Sequence, residues 1–212
     1  MDNQKMTAIR RFSQSIMEND QTGHGMDHIN RVVRLADKIA GTEACDCFIV
    51  KAAAYLHDTV DDKLVSDSDQ AFQQLEEFLQ EIKISNIQIQ QITHIIKNIS
   101  FSQELNGTAE KLTIEGQIVQ DADRLDAMGA IGITRTIYYG AHKGNQIYDP
   151  KIKPRTLQSK SEYREESTII NHFYEKILLL NDSLNTDYAK MLGQKRQKFL
   201  ESFLTEFLEE WA

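Results

Sequence analysis

Apolar residues recur along the chain at three- and four-residue steps, and short polar stretches separate the runs. Residues 4–18 place Met6, Ile9, Phe12 and Ile16 on one face of a helix. A polar, glycine-containing loop follows at 19–25. Ile29, Val32, Val33, Leu35, Ala36 and Ile39 then mark a second helix over 26–40, with Gly41 in a C-cap role. A third helix is predicted over 43–57. After an acidic, irregular stretch at 61–69, Ala71, Phe72, Leu75, Phe78, Leu79 and Ile82 mark a fourth. Residues 87–99 form a fifth, although their density of Ile also admits a strand. A polar loop at 103–111 leads into helices over 112–128 and 130–139. The longest stretch without periodicity is 140–159. Two long helices, 160–180 and 185–211, close the chain.

Composition agrees with this pattern. The only prolines are Pro150 and Pro154, so the first 149 residues lack the strongest helix breaker. With 212 residues and 41% hydrophobic content, the chain can bury one core, and a single all-α domain is the expectation. Its metal-site core would lie at about 20–140, with a helical extension over about 160–212. Cys45 and Cys47, two apart, point to different sides of a helix and read as ordinary thiols. No segment looks like a signal peptide or approaches the ~20 apolar residues of a membrane span, so a cytoplasmic protein with no membrane partner is expected. The net charge of −8 argues against a broad surface for a nucleic acid polymer but leaves room for a small anionic substrate.

The candidate chemistry starts at His57-Asp58, which ends the apolar run Ala52-Ala53-Ala54-Tyr55-Leu56. Burying both is costly without a cation or hydrogen bonds, which makes the pair a candidate metal site. His28 lies at the start of the second helix, in Asp27-His28-Ile29-Asn30-Arg31-Val32. Asp121, Asp123 and Asp126 interrupt an apolar helix flanked by Ile118, Val119, Leu125 and Met128. Asp121 and Asp123 stand about 200° apart around a helix, so the two cannot easily face one ion.

The ordered set His28, His57-Asp58 and a distant Asp resembles the HD-domain superfamily of metal-dependent phosphohydrolases. The fuller pattern Asp-His-x-x-Arg-Val, Leu-His-Asp and Gln-Asp-Ala-Asp-Arg-Leu-Asp-Ala is similar to a subgroup of small bacterial members, as is the stretch from Asn171 to Lys176. The resemblance implies an HD-domain helical bundle in which His28, His57, Asp58 and Asp123 bind one divalent metal. The superfamily's Ala-Asp-x-Leu pattern selects Asp123 over Asp121. Mn2+ is favoured, with Mg2+, Fe2+, Co2+, Ni2+ and Zn2+ also compatible with two imidazoles and two carboxylates. Such an ion would activate water against a phosphoryl group.

Asp61 and Asp62 follow His-Asp at the spacing of an acidic pair in alarmone hydrolases. If the helix continues past Asp58, they share its ligand-bearing face and are candidates for orienting or deprotonating the water. Candidate substrate contacts are His24, Asp27, Lys97, Arg124 and Lys143. The 140–159 loop, with Lys151, Lys153 and Arg155 and followed by Lys160, reads as a phosphate-contacting lid. His94 is a weaker candidate for a second metal. Gly129 and Gly132 read as helix-packing residues, and Phe199, Leu200, Phe203, Leu204 and Phe207 as core or homodimer surface. The subgroup resemblance implies nucleoside triphosphate pyrophosphohydrolysis. Hydrolysis of a guanosine alarmone and a non-catalytic nucleotide sensor are the alternatives.

Overall fold

In a computed structural model that describes residues 2–18, 23, 25–61, 65, 67–157, 159, 162, 165 and 167–212, the described residues contain helices and no strand. The α-helices are α1 (Asp2–Met17), α2 (Met26–Ala40), α3 (Cys47–Leu56), α4 (Ser68–Glu81), α5 (Asn86–Asn98), α6 (Phe101–Leu105), α7 (Ile114–Asp126), α8 (Gly129–His142), α9 (Ile169–Glu175) and α10 (Asp187–Trp211). A 3₁₀ helix, Ile177–Ser183, joins α9 to α10. Residues 87–98 are thus helical, with Ile99 as the C-cap, and the strand alternative falls.

Side-chain caps set most of the starts. Asp46, Asp67, Ser85, Thr113, Thr168 and Thr186 each accept a hydrogen bond from an amide of the first turn they precede. The Asp46 cap explains why α3 begins at Cys47 rather than at 43.

At the centre lies α3. Ala52, Ala53 and Ala54 are fully buried, and their small side chains let α1, α2, α5 and α7 pack closely around it. Because most of the helix surface is buried, with only the Cys47, Phe48, Lys51 and Tyr55 side reaching solvent, its C-terminal end delivers His57 and Asp58 to the interior. Helix α2 packs against both α3 and α7 through Ile29, Val32, Val33, Ala36 and Ile39. A sharp turn links α7 to α8: Gly129 takes φ +69°, and a Cβ on Gly132 would stand 2.1 Å from the Ala127 carbonyl oxygen. Both glycines therefore serve packing.

The second half departs from the predicted elements. From Thr168 onward, the expected helix over 160–180 is two shorter pieces, because Thr168 caps α9 and Lys176 (φ −141°, ψ −58°) leaves α geometry; residues 160, 161, 163, 164 and 166 lie outside the described residues. The 103–111 loop overlaps a short helix, α6. Helix α8 extends into the expected 140–159 loop, and the loop's described part is strapped to α9. Ile169 and Ile170 amides donate to Gln146 and Ile147 carbonyls, and Asn171 donates to the Ile152 carbonyl. Along α10, Leu200 and Leu204 enter the core while Phe199 is 53% exposed. Among the described residues, no helix is long and apolar enough to cross a membrane.

Candidate metal centre

Three elements bring four donor side chains together. His28 occupies the first turn of α2, His57 caps the C-terminus of α3 with Asp58 next to it, and Asp123 projects from α7. His28 Nε2 lies 3.3 Å from His57 Nε2, 3.4 Å from Asp58 Oδ2 and 3.5 Å from Asp123 Oδ1. His57 Nε2 is 3.4 Å from Asp58 Oδ1 and 3.8 Å from Asp123 Oδ1. Atoms bound to one ion at ~2.1 Å stand about 3.0 Å apart as octahedral neighbours and about 3.4 Å apart in a tetrahedron. The observed spacings suit a shared ion.

The far nitrogen of each ring is committed elsewhere. His57 Nδ1 donates to the Ala54 carbonyl at 3.0 Å, one of the acceptors that α3 leaves without a helical partner where it ends. His28 Nδ1 donates to Asp126 Oδ2 at 2.8 Å. Both partners are acceptors, so both Nδ1 atoms carry hydrogen and both Nε2 lone pairs can face the shared point. Orientation of a ligand imidazole by a carboxylate or carbonyl is the usual support of a histidine metal site.

Asp126 is itself held from two further sides. Arg31 Nε donates to Oδ1 at 2.8 Å, and Arg135 Nη1 donates to Oδ2 at 3.1 Å. Burial opposes its ionisation, but the bonds from His28 and Arg31 outweigh this and hold its carboxyl well below the usual range. For His28, burial again works against charge, but hydrogen bonds to Asp126 and Asp58 raise it to about 9. The metal-free cluster thus attracts positive charge at its centre, which a proton or a cation can supply. Access is one-sided: the Asp123 side chain is 40% exposed, against 1% for His28 and 2% for His57.

The other sequence candidates fall in different places. Helix α3 ends at Leu56 and residues 57–60 form turns, so the premise that the helix continues past Asp58 is corrected. Asp61 is nonetheless near, its amide bonding the Asp58 carbonyl at 3.1 Å. Asp62 and His24 lie outside the described residues. The Asp27 carboxylate takes Arg31 Nη1 at 2.7 Å and so borders the Asp126 network. Lys97 lies over the Phe72 ring and Lys143 over the Tyr139 ring, and neither joins the described contacts of the cluster.

Arg124 requires a correction. One position on from Asp123 it points to another side of α7, where it is buried, donates to the Ser183 carbonyl and pairs with Glu104. Asp121 is also turned away. Its carboxylate accepts from the amides of Asn185 and Thr186 and from both their side chains, at 2.8–2.9 Å, which anchors the start of α10. In the expected lid, Arg155 is committed to the buried Glu175 through its backbone N, Nε and Nη2, and so is not a loose phosphate contact. His94 pairs with Glu110.

The sequence pattern assigned no role to Asp126, Arg31 or Arg135. A signal existed for the first two, since Asp126 is three positions after Asp123 and Arg31 three after His28, which places each near its ligand's helix face. Arg135 had none: it reaches Asp126 and the Gly23 carbonyl across a tertiary gap.

A helical bundle that places His, His-Asp and Asp around one point defines a class, and the comparisons agree. The HD domain family model matches residues 25–128, a span holding all four donors. The chain belongs to the HD-domain family. It is 34% identical to YpgQ of Bacillus subtilis, over 93% of this chain and 89% of that one. Among solved structures, a Lactobacillus plantarum protein superposes with a TM-score of 0.90 at 42% identity, covering 98% and 97% of the two chains. YpgQ in complex with ADP gives 0.78 at 31%, covering 99% and 96%. An HD-superfamily hydrolase of Bacillus thuringiensis gives 0.77 at 35%, covering 100% and 98%.

Proposed function

We propose that the protein is a metal-dependent phosphohydrolase acting on nucleotides, and that its reaction is pyrophosphohydrolysis of a nucleoside triphosphate to a monophosphate and pyrophosphate. The observation that carries the reading is the convergence on the imidazole pair: His28 Nε2 and His57 Nε2 lie 3.3 Å apart, and each stands 3.4–3.8 Å from an oxygen of Asp58 and of Asp123. The relative that binds ADP supports a nucleotide as substrate.

His28, His57, Asp58 and Asp123 hold one divalent ion, with Mn2+ favoured. When bound, it supplies a Lewis acid that acidifies water and polarises a phosphoryl oxygen. The chain's own residues do the rest. Asp126 and the Ala54 carbonyl hold hydrogen on the two Nδ1 atoms, which leaves Nε2 as the ligand atom of each ring, and fix the rings' direction. Asp61, tied by its amide to Asp58, serves as the base that takes a proton from the attacking water. The exposed flank at Asp123 is the entry for the phosphates.

The test is product analysis of purified protein with Mn2+ and a panel of nucleoside triphosphates, deoxynucleoside triphosphates and a guanosine 3′-diphosphate. Pyrophosphate with a monophosphate from the triphosphates is the expected result. Orthophosphate from a triphosphate refutes the bond assignment, and cleavage of the 3′-diphosphate alone replaces the substrate by an alarmone. Binding without turnover makes the protein a sensor. His57→Ala is expected to abolish turnover and Mn2+ binding together.

A further inference from the structure

Behind the metal centre, on the Asp126 side, lies a crevice of about 250 Å³ lined by Arg31, Arg34 and Lys38 of α2, Asp126 of α7, the first residues of α8 and Arg196 of α10. None of the four converging donors lines it. Its charge balance is unlike the rest of the molecule: four cations face one carboxylate in a chain of net charge −8. That carboxylate is already satisfied, because Asp126 takes hydrogen bonds from His28, Arg31 and Arg135 and is 2% exposed.

Among the described residues, no carboxylate pairs with Arg34, Lys38 or Arg196. Arg196 is half-buried, and its described hydrogen bond runs from Nη1 to the Leu125 carbonyl, which leaves the rest of its fork of donors to serve another acceptor. Burial makes that charge costly and Asp126 offsets it only in part. Its stem crosses Gly129, where a Cβ would stand 3.1 Å from Arg196 Cγ, so the glycine keeps the guanidinium at the mouth of the crevice. A guanidinium fork held beside a second Arg and a Lys matches the tetrahedral oxygens of a phosphate group.

We propose that this crevice is a second anion site, separate from the metal centre, that binds a small phosphate-class anion through Arg34, Lys38 and Arg196. It stands whatever reaction the metal centre carries out. Arg31 borders both regions, so occupancy also bears on the Asp126–His28 bond.

The probe is inorganic pyrophosphate, titrated calorimetrically into the full-length chain freed of metal. Saturable binding at one site, weakening as NaCl is raised, is expected. The exposed double variant Arg34→Ala/Lys38→Ala is expected to weaken it at least about tenfold, as loss of charge-assisted hydrogen bonds should. Lys38→Arg retains it, and so does His57→Ala, which removes a metal ligand and leaves the crevice intact. No saturable binding by the wild type, binding unchanged in the double variant, or binding lost in His57→Ala would each overturn the proposal. Failure of the nucleotide assay with binding intact refutes only the hydrolytic reading.

Discussion

Replacing Asp126 by Asn probes the metal centre without touching a proposed ligand. The side chain keeps its shape but loses its charge and one of its two acceptor oxygens, while four contacts from His28, Arg31 and Arg135 still converge on it. An amide group then faces a donor. Loss of a carboxylate that orients a ligand imidazole costs about 10- to 100-fold in metal affinity, which is about 1.4–2.7 kcal/mol. The fold loses less than a fully buried ion pair would, because the Arg31 and Arg135 side chains are 21% and 19% exposed and water can replace part of what is lost; about 1–3 kcal/mol is expected. The assay is Mn2+ titration of chelator-stripped wild type and Asp126→Asn at pH 7 and, without oxygen, at pH 9, with melting curves in chelator as the stability control. In the wild type His28, raised to about 9, must lose a proton before the ion binds at pH 7, and Asp126 is one cause of that raised value. The variant sheds part of this competition. The affinity gap should therefore be narrower at pH 7 and reach its full size at pH 9. Affinity within twofold of the wild type at pH 9 would refute the positioning role.

Three other predictions rest on named contacts. For the metal-free protein, the raised His28 value contributes stability that is complete below its unfolded value of 6.5 and is lost as pH rises through about 9; melting in chelator should show a decline across that window, and a flat profile would contradict it. Asp121→Ala removes the acceptor of two backbone amides and two side chains at the start of α10 and should cost about 2–5 kcal/mol by denaturant titration. The variant's Mn2+ affinity should stay unchanged once folded, and lost affinity with unchanged stability would reverse the roles assigned to Asp121 and Asp123. Gly132→Ala pushes a methyl against the Ala127 carbonyl oxygen and should lower the melting temperature by several degrees or prevent soluble expression; a wild-type melt would show that the α7–α8 turn is looser than this.

Much of the helical plan was legible in the sequence because amphipathic spacing is a local property. The α2 bounds follow from Met26, the apolar positions after it and Gly41, and His57-Asp58 stands out because it ends a run of alanines that only a buried helix would use. Where short pieces are set by tertiary bonds, the spacing misled. The 160–180 region breaks at Lys176, and the 140–159 loop is held to α9 through Gln146, Ile147, Ile152 and Arg155.

The three carboxylates of α7 show where the boundary lies. Sequence alone determined that Asp121, Asp123 and Asp126 interrupt an apolar helix and must be compensated, because an ionised carboxylate does not enter a core unpaired. It did not determine what compensates each. Helical angle turns Asp121 toward Asn185 and Thr186, Asp123 toward the two imidazoles and Asp126 toward His28, Arg31 and Arg135. Thr186 lies 65 positions from Asp121 along the chain, and His28 lies 98 from Asp126. Local spacing carries no information over such separations, so only the packing of α2, α3, α7, α8 and α10 decides which partner reaches which carboxylate.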